Sequence, residues 1–248
     1  MTILLIDVGN SQLKWVLSDQ QEMSPHQRLS KTENYLEALA ATWQEFETVN
    51  TVVISNVTGV KVTQALIDLC QRLWPKVHCV TASAEGTCCG VTNSYLHPEK
   101  LGVDRWLVLI ASWTQSLKPL VVVDCGTAIT VDALNRKGQH LGGLIIPGFS
   151  LMQRCLSENT FALSTSDVPF KPTLGNATEA AIANGSVLAA AGLVEKVIHD
   201  LEHTEGESFQ LILTGGDALR LEQALDRSCV VDAELIFKGL QRYVETHR

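Results

Sequence analysis

The sequence predicts an α/β fold of two similar halves, and three observations support this class. Short apolar runs typical of buried strands alternate with segments of helical periodicity through the first half of the chain. The second half combines the same two kinds of segment. Each half also contains an apolar strand that ends in Asp-x-Gly, at Asp7 and at Asp124. We therefore expect two similar domains, residues 1–117 and 118–248, with a ligand-binding cleft between them.

The first half predicts two strands followed by alternating helices and strands. Leu36, Leu39, Ala40 and Trp43 recur at helical spacing. A second helical pattern ends at Pro75, since proline disfavours a helical conformation in the residue before it. The predicted elements are strands at 2–6 and 13–17, a helix at 34–46, a strand at 51–55, a helix at 60–74 and a strand at 77–80.

The second half begins after a joint at 117–119 and opens on three strands. Asparagine and glycine within 135–138 indicate a turn between the second and third of these strands. A long, alanine-containing helical pattern follows, and an amphipathic helix ends the chain. The predicted elements are strands at 120–123, 129–134 and 141–146, a helix at 176–199, a strand at 210–213 and a helix at 232–244.

Composition and charge indicate whether nucleic acid or a membrane is expected as a partner. Of 248 residues, 46% are hydrophobic, and 19 Lys and Arg against 27 Asp and Glu give a formal charge of −8. This balance disfavours phosphate-driven binding of nucleic acid. No apolar stretch reaches the ~18 residues of a membrane-spanning helix, and the beginning lacks the basic region of a signal peptide. We therefore expect no membrane partner. The seven cysteines form no Cys-x-x-Cys pair, which predicts reduced thiols in a cytoplasmic protein.

The strongest chemical signal is the segment that occurs twice, at 5–11 and at 122–128. In each copy an apolar strand ends in Asp-x-Gly and a second strand follows. Glycine lets the backbone approach a ligand, while Asn10, Ser11 and Thr127 offer donors to phosphate oxygens. The aspartates can hold a cation directly or through water. A single copy is most often an ordinary turn, whereas two equivalent copies indicate a phosphate-binding function.

Four further features carry weaker signals. The neighbours Asp104 and Arg105 suit a base beside a group that grips a carboxylate, although such a pair is often a helix cap or a surface pair. The glycines of 142–148 and 215–216 indicate either close approach of a ligand or ordinary turns. Tyr95 is interpreted either as part of the same cleft or as a half-buried tyrosine.

Several common enzyme classes lack their motifs in this sequence. It contains neither a Walker-type G-x-x-x-x-G-K-[ST] nor a G-x-G-x-x-G after the first strand. The seven histidines form no H-E-x-x-H pattern, and no G-x-S-x-G is present. The sequence therefore does not support a P-loop NTPase, a dinucleotide-binding enzyme, a zinc hydrolase or a serine hydrolase.

The combination of motifs resembles that of the type III pantothenate kinases over about residues 3–241. The segments that carry the resemblance are 7–11, 102–105, 124–128, 142–148 and 214–216. It implies duplicated ribonuclease-H-like domains, as in the acetate kinase, sugar kinase, Hsp70 and actin superfamily, and a homodimer. It also implies ATP-dependent phosphorylation of the primary hydroxyl of pantothenate, the first step towards coenzyme A. The implied cofactors are Mg²⁺ with ATP and a monovalent cation, K⁺ or NH₄⁺.

The resemblance assigns roles to individual positions. Asp104 corresponds to the general base and Asp124 to the ligand of the monovalent cation. The residues implied in ATP binding are Asp7, Val8, Gly9, Asn10, Ser11, Gln12, Leu13, Lys14 and Thr127. The residues implied in pantothenate binding are Tyr95, Gly102, Val103, Asp104, Arg105 and Thr178, with Thr178 reaching across the dimer. Ser11 stands where many members have threonine, and both residues supply a hydroxyl.

Two other functions remain open from the sequence. One is a kinase of the same superfamily that acts on another small acceptor, a sugar or a carboxylate. The other is an ATP-binding regulatory or accessory protein, because the resemblance extends to proteins first described as accessory factors for transcription. The presence of Asp104 together with all the phosphate-binding positions favours catalysis over the regulatory role.

Overall fold

The computed structural model describes residues 1–19, 22–158 and 170–247 of the chain. Its strands are β1 (Thr2–Val8), β2 (Gln12–Asp19), β3 (Glu22–Met23), β4 (Gln27–Ser30), β5 (Thr51–Asn56), β6 (His78–Thr81), β7 (Thr87–Cys88), β8 (Val91–Thr92), β9 (Leu120–Cys125), β10 (Ala128–Leu134), β11 (His140–Pro147), β12 (Gln210–Thr214) and β13 (Val230–Val231). Its helices are α1 (Tyr35–Trp43), α2 (Val60–Leu73), α3 (Val103–Ser116), α4 (Phe149–Glu158), α5 (Thr178–Glu205), α6 (Ala218–Glu222) and α7 (Leu235–Thr246).

The chain divides into two compact units, and the last helix belongs to the first of them. Unit 1 comprises Met1–Thr114 and Glu234–Arg248, and unit 2 comprises Gln115–Ala233. The sequence-based boundary, 1–117 and 118–248, assigned α7 to the second half. Helix α7 instead packs against β1 and β5. A side chain at Gly239 of α7 would collide with the backbone carbonyl of Leu107, so the absence of one permits this close packing.

Unit 1 is built on a sheet of strand order β3-β2-β1-β5-β6, with β4 paired to β2. Strands β1 and β2 are antiparallel, whereas β5 and β6 run parallel to β1. Strand β1 is buried along Ile3–Ile6, which explains its continuous apolar run. The core also contains Trp15 and Trp43, whose rings meet edge to face at 5.8 Å between centroids.

Unit 2 repeats this arrangement in the order β11-β10-β9-β12-β13. Strands β9 and β10 are antiparallel, and β12 and β13 run parallel to β9. The buried side of α5 packs into the core of the unit through Val187, Ala190, Val194 and Ile198. The central strands of the two units therefore correspond, β1 with β9, β2 with β10 and β5 with β12. This correspondence confirms the predicted α/β class with two similar halves.

Helix α5 is long and apolar enough, by length and composition, to cross a membrane, although the sequence analysis expected no such helix. It is the one such helix in the part of the chain that the structure describes. A core helix passes the same test, and α5 supplies core residues to unit 2. Its packing within the unit therefore accounts for the apolar residues of its buried side.

Candidate active site

The first Asp-x-Gly segment forms the turn between β1 and β2, as predicted. Val8 and Leu13 are the last paired residues, and the N–H of Gly9 donates to the carbonyl of Gln12 at 3.0 Å. The Asp7 carboxylate accepts a hydrogen bond from the Ser55 hydroxyl at 3.2 Å, on the neighbouring strand β5. Asp7 and Ser55 are paired in register, so the parallel strands place them side by side. This turn thus combines a held carboxylate with closely spaced backbone groups.

A lysine that the sequence analysis missed lies against this turn. The Lys31 ammonium donates to the hydroxyl of Thr58 at 3.2 Å and to the carbonyl of Gly9 at 3.5 Å. The N–H of Lys31 also donates to the carbonyl of Ser11 at 3.3 Å. Thr58 is held in turn by the side-chain oxygen of Asn56, at 2.8 Å from both its hydroxyl and its N–H. A positive charge is therefore fixed beside the first turn.

The Gly-Val-Asp-Arg segment opens α3, the most deeply buried helix of unit 1. The carboxylate of Asp104 accepts a hydrogen bond from the N–H of Arg105 at 2.8 Å, in the first turn of the helix. A carboxylate at a helix N-terminus interacts favourably with the helix dipole. A side-chain carbon at Gly102 would lie 2.5 Å from the same carboxylate oxygen, so glycine gives Asp104 its space.

Arg105 and Tyr95 form a pair that the sequence analysis considered only as two separate members of one site. Arg105 is 7% exposed, an unusual degree of burial for a charged residue. Its guanidinium donates to the Tyr95 hydroxyl at 2.9 Å and lies 5.8 Å from the centroid of the ring. The N–H of Tyr95 donates to the side-chain oxygen of Asn93 at 3.0 Å. The loop before α3 therefore orients the guanidinium through Tyr95, which Asn93 holds in turn.

The second Asp-x-Gly segment forms the turn between β9 and β10, and two other predicted segments meet it. A side chain at Gly148 would collide with the carbonyl of Gly126 and with the backbone of Thr127. A side-chain carbon at Gly215, whose φ is +89°, would likewise collide with the Asp124 carboxylate and the Cys125 carbonyl. Burial, with the added negative charges of Asp124 and Asp217, raises the pKa of the Cys125 thiol. The surroundings of this turn are thus rich in oxygen atoms and in negative charge.

Thr178 is the first residue of α5 in unit 2 and is exposed. Within unit 1 the structure brings Tyr95 beside Arg105, and Asp7 beside Ser55, at short distances. Within unit 2 it brings the segments around Asp124, Gly148 and Gly215 together. The remaining predicted positions lie in the first turn, in the strands that flank it and at the start of α3: Val8, Gly9, Asn10, Ser11, Gln12, Leu13, Lys14 and Val103.

Residues 3–200 match the type III pantothenate kinase family. Nearly full-length relatives carry the same description. The type III pantothenate kinase of Nitrosococcus oceani is 36% identical, over 97% of this chain and 92% of its own length. That of Nitrosospira multiformis is 35% identical, over 96% of this chain and 89% of its own length.

The chain belongs to the type III pantothenate kinase family. Solved structures similar to this family member have the same fold. A conserved protein from Campylobacter jejuni, assigned to the Baf family of transcriptional activators, aligns with a TM-score of 0.63 and 22% identity, over 98% of both chains. A protein from Listeria monocytogenes, proposed as an N-acetylmannosamine kinase, aligns over 100% of both chains with a TM-score of 0.55 and 11% identity. These likenesses support two similar ribonuclease-H-like units, as the sequence analysis expected.

Proposed function

We propose that this pantothenate kinase uses Asp104 as its general base and Arg105 as the group that grips pantothenate. ATP-dependent phosphorylation of pantothenate, in coenzyme A biosynthesis, is the activity of its family. The observation that carries the residue assignment is the start of α3, where the Asp104 carboxylate is oriented by the N–H of Arg105. The buried guanidinium of Arg105, fixed by Tyr95, provides a rigid donor pair for a carboxylate or an amide oxygen.

Phosphoryl transfer requires positioning and charge neutralisation more than covalent chemistry. Backbone N–H groups of the first turn and the hydroxyl of Ser11 would bind phosphate oxygens, and Lys31 would add a positive charge beside them. Thr127 on the second turn would supply another donor. Mg²⁺ bound with ATP neutralises phosphate charge, and the Asp7 carboxylate, a hard oxygen ligand at the end of β1, suits such an ion. Asp104 would accept the proton of the attacking hydroxyl.

Asp124 suits a monovalent cation better than it suits a phosphate. Its carboxylate lies in the same confined space beside Gly215 as the carbonyl oxygen of Cys125. The carbonyls of Gly126 and Thr127 crowd the neighbouring Gly148. Carboxylate and carbonyl oxygens are the ligands that hard cations prefer. We place K⁺ or NH₄⁺ here, where its charge would compensate that of bound ATP.

The homodimer and the part of Thr178 in it are also proposals. The edge strand β11 of unit 2 exposes Leu141, Leu144 and Ile145. Apolar side chains on an exposed edge strand are typical of an interaction surface. A second copy of the chain covering this surface is compatible with Thr178 contacting pantothenate from the partner. The cytoplasmic location stays a prediction, to which the free, buried thiols of Cys70, Cys88 and Cys125 add support.

The deciding experiment is an assay of ATP-dependent pantothenate phosphorylation with Mg²⁺, for the wild type and for Asp104→Asn. We expect the variant to bind ATP and unfold like the wild type while kcat falls by ~10²- to 10⁴-fold, the usual contribution of a general base. Glu99→Gln removes an exposed carboxylate near the same loop and serves as the matched control. Near-normal kcat in Asp104→Asn would remove Asp104 from the base role. Phosphorylation of other acceptors in preference to pantothenate would indicate a different kinase.

A further inference from the structure

The adjacent thiols of Cys88 and Cys89 lie outside the proposed active site and close to each other. Their sulfur atoms are 3.5 Å apart. Cys88 ends β7 and is buried, and Cys89 is partly exposed in the turn to β8. Both are free thiols. No other cysteines are neighbours in the sequence.

The turn that holds these thiols is a two-residue hairpin connection. Cys88 pairs with Val91, and Cys89 and Gly90 between them have φ values of +51° and +84°. Positive φ at both central positions is typical of a type I′ turn, in which the first position favours Asn, Asp or Gly. A cysteine there is strained, because in the left-handed region its side chain crowds the following carbonyl oxygen. The turn thus places the second thiol at an unfavourable position beside the first.

We propose that Cys88 and Cys89 are a site of reversible thiol modification, which closes to a disulfide between the two neighbours on reaction with a low-molecular-weight disulfide. The thiolate of Cys89 attacks one sulfur of the reagent, whose S–S bond breaks and releases one thiol. The thiolate of Cys88 then attacks the Cys89 sulfur of this mixed disulfide and releases the second thiol. The two cysteine sulfurs are oxidised, the two reagent sulfurs are reduced, and the two cysteine protons end on the released thiols.

The order of attack follows from exposure. Burial, followed by the hydrogen bond to Cys89 and the charges of Cys89 and Glu85, raises the pKa of the Cys88 thiol to about 12. Because the thiolate is the reacting species, Cys88 reacts poorly with a reagent in solution. Its attack on Cys89 is intramolecular, between sulfurs already in contact, and proximity of this kind compensates for a small thiolate fraction.

The closed form must be strained and therefore easily reduced. Neighbouring Cα atoms are ~3.8 Å apart, below the ~4.4–6.8 Å that disulfides prefer. Strained disulfides are more readily reduced, and this property is typical of regulatory bonds rather than structural ones. Closing the bond also shortens the sulfur separation from 3.5 Å to ~2.05 Å. The turn has to change its shape to permit this.

The turn touches the helix that carries the proposed base. A side-chain carbon on Gly90 would lie 3.0 Å from the indole nitrogen of Trp113, near the end of α3. The thiol of Cys89 contacts the hydroxyl of Thr246 on α7 at 3.2 Å. Strand β8 leads directly to Asn93, which also donates to the carbonyl of Pro98 at 3.2 Å and so shapes the loop of Tyr95. Closure should therefore disturb the loop that orients Arg105 and raise KM for pantothenate.

The chemical test uses oxidised glutathione as the probe on the full-length protein. Cleavage after Glu85 and Glu99 gives a peptide, 86–99, whose only cysteines are Cys88 and Cys89. We expect this peptide to lose two hydrogen atoms, to carry no glutathione and to recover both thiols with a dithiol reductant. Free thiols or stable glutathione adducts in 86–99, under conditions that modify the exposed Cys155, would overturn the proposal.

The kinetic test compares the wild type with Cys89→Ser and Cys155→Ser. Oxidation should raise KM for pantothenate several-fold in the wild type and in Cys155→Ser, with a smaller change in kcat. Cys89→Ser should be insensitive. Closure of the disulfide with unchanged KM would overturn the link to the loop. This link rests on the proposed function, whereas the peptide mass does not. A reduced protein without kinase activity that still forms the disulfide would contradict the proposed function alone.

Discussion

The two Asp-x-Gly turns have the same strands around them but opposite chemical surroundings. In unit 1 the turn follows β1, and in unit 2 it follows β9, each the central strand of its sheet. Each aspartate is paired in register with a hydroxyl residue on the next parallel strand, Asp7 with Ser55 and Asp124 with Thr214. The duplicated architecture thus reproduces the backbone of the site twice.

The turns differ in length and in what faces them. Four residues separate the paired Val8 and Leu13, whereas three separate Cys125 and Ile129. The first turn is exposed at Asn10 and Ser11 and has the Lys31 ammonium beside it. The second is likewise exposed at Gly126 and Thr127, but glycine backbone packs closely against it, beside carbonyl and carboxylate oxygens. Under the proposed function the first turn, with its lysine, serves mainly ATP with Mg²⁺, and the second, with its crowded oxygens, serves mainly the monovalent cation. A duplicated motif need not keep a duplicated function.

The largest expected effect concerns the close packing of Gly215 against the second turn. Gly215→Ala places a side chain at a φ of +89° and against Asp124 and the Cys125 carbonyl. We expect the free energy of unfolding to fall by ~3 kcal/mol or more, measured by denaturant titration. Gly216→Ala is the matched control, because its position has open space and no positive φ, and it should stay within ~0.5 kcal/mol. Equal stabilities would mean that Gly215 does not pack closely against the turn.

The charge of Asp124 gives the second largest effect. Asp124→Asn keeps a side-chain oxygen but removes the negative charge. We expect kcat in K⁺ buffer to fall by ~10²-fold, and we expect the enzyme to lose its preference for K⁺ over Na⁺. Asp7→Asn is the reciprocal variant in the other turn and should weaken the binding of ATP with Mg²⁺ while the K⁺ preference remains. An equal change in the K⁺ dependence of both variants would contradict the proposed difference between the two turns.

Substitution of Lys31 tests whether the positive charge beside the first turn contributes to ATP binding. Replacing this lysine by methionine keeps the length of the side chain and removes its charge, so we expect KM for ATP to rise about tenfold, or ~1.4 kcal/mol. Lys31→Arg should recover part of this loss. Lys137→Met removes an exposed lysine of unit 2 and should leave KM for ATP unchanged. An unaltered KM in Lys31→Met would show that the ammonium does not serve the nucleotide.

The sequence predicted the parts of the site that are locally encoded. An apolar strand followed by Asp-x-Gly indicates a turn at the end of a buried strand, and both turns lie where they were expected. Lys31 was missed because it follows β4, whose residues Gln27–Ser30 are mostly polar and show no clear alternation. The strand exists because it pairs with β2, a contact between distant residues that local pattern does not reveal.

For the last helix, too, local sequence predicted the element but not its packing partner. Its amphipathic pattern at 232–244 correctly predicted a helix, close to the observed Leu235–Thr246. Nothing in the local sequence indicates which sheet it covers, and it covers that of unit 1.

The glycines at Gly148 and Gly215 were ambiguous for a related reason. Their need for glycine comes from backbone segments distant in sequence, so that only the tertiary structure distinguishes close approach from an ordinary turn.

The smallest expected effect concerns the hydroxyl beside each aspartate. Ser55→Ala removes a single hydrogen bond to Asp7, which is worth ~0.5–1.5 kcal/mol, so we expect KM for ATP to rise by a few-fold. Thr214→Val changes the corresponding position in unit 2, paired with Asp124, and should leave KM for ATP unchanged while altering the K⁺ concentration that gives half-maximal activity. Steady-state kinetics at several ATP and K⁺ concentrations measures both. If the two variants shift KM for ATP equally, the turns share one function and differ only in shape.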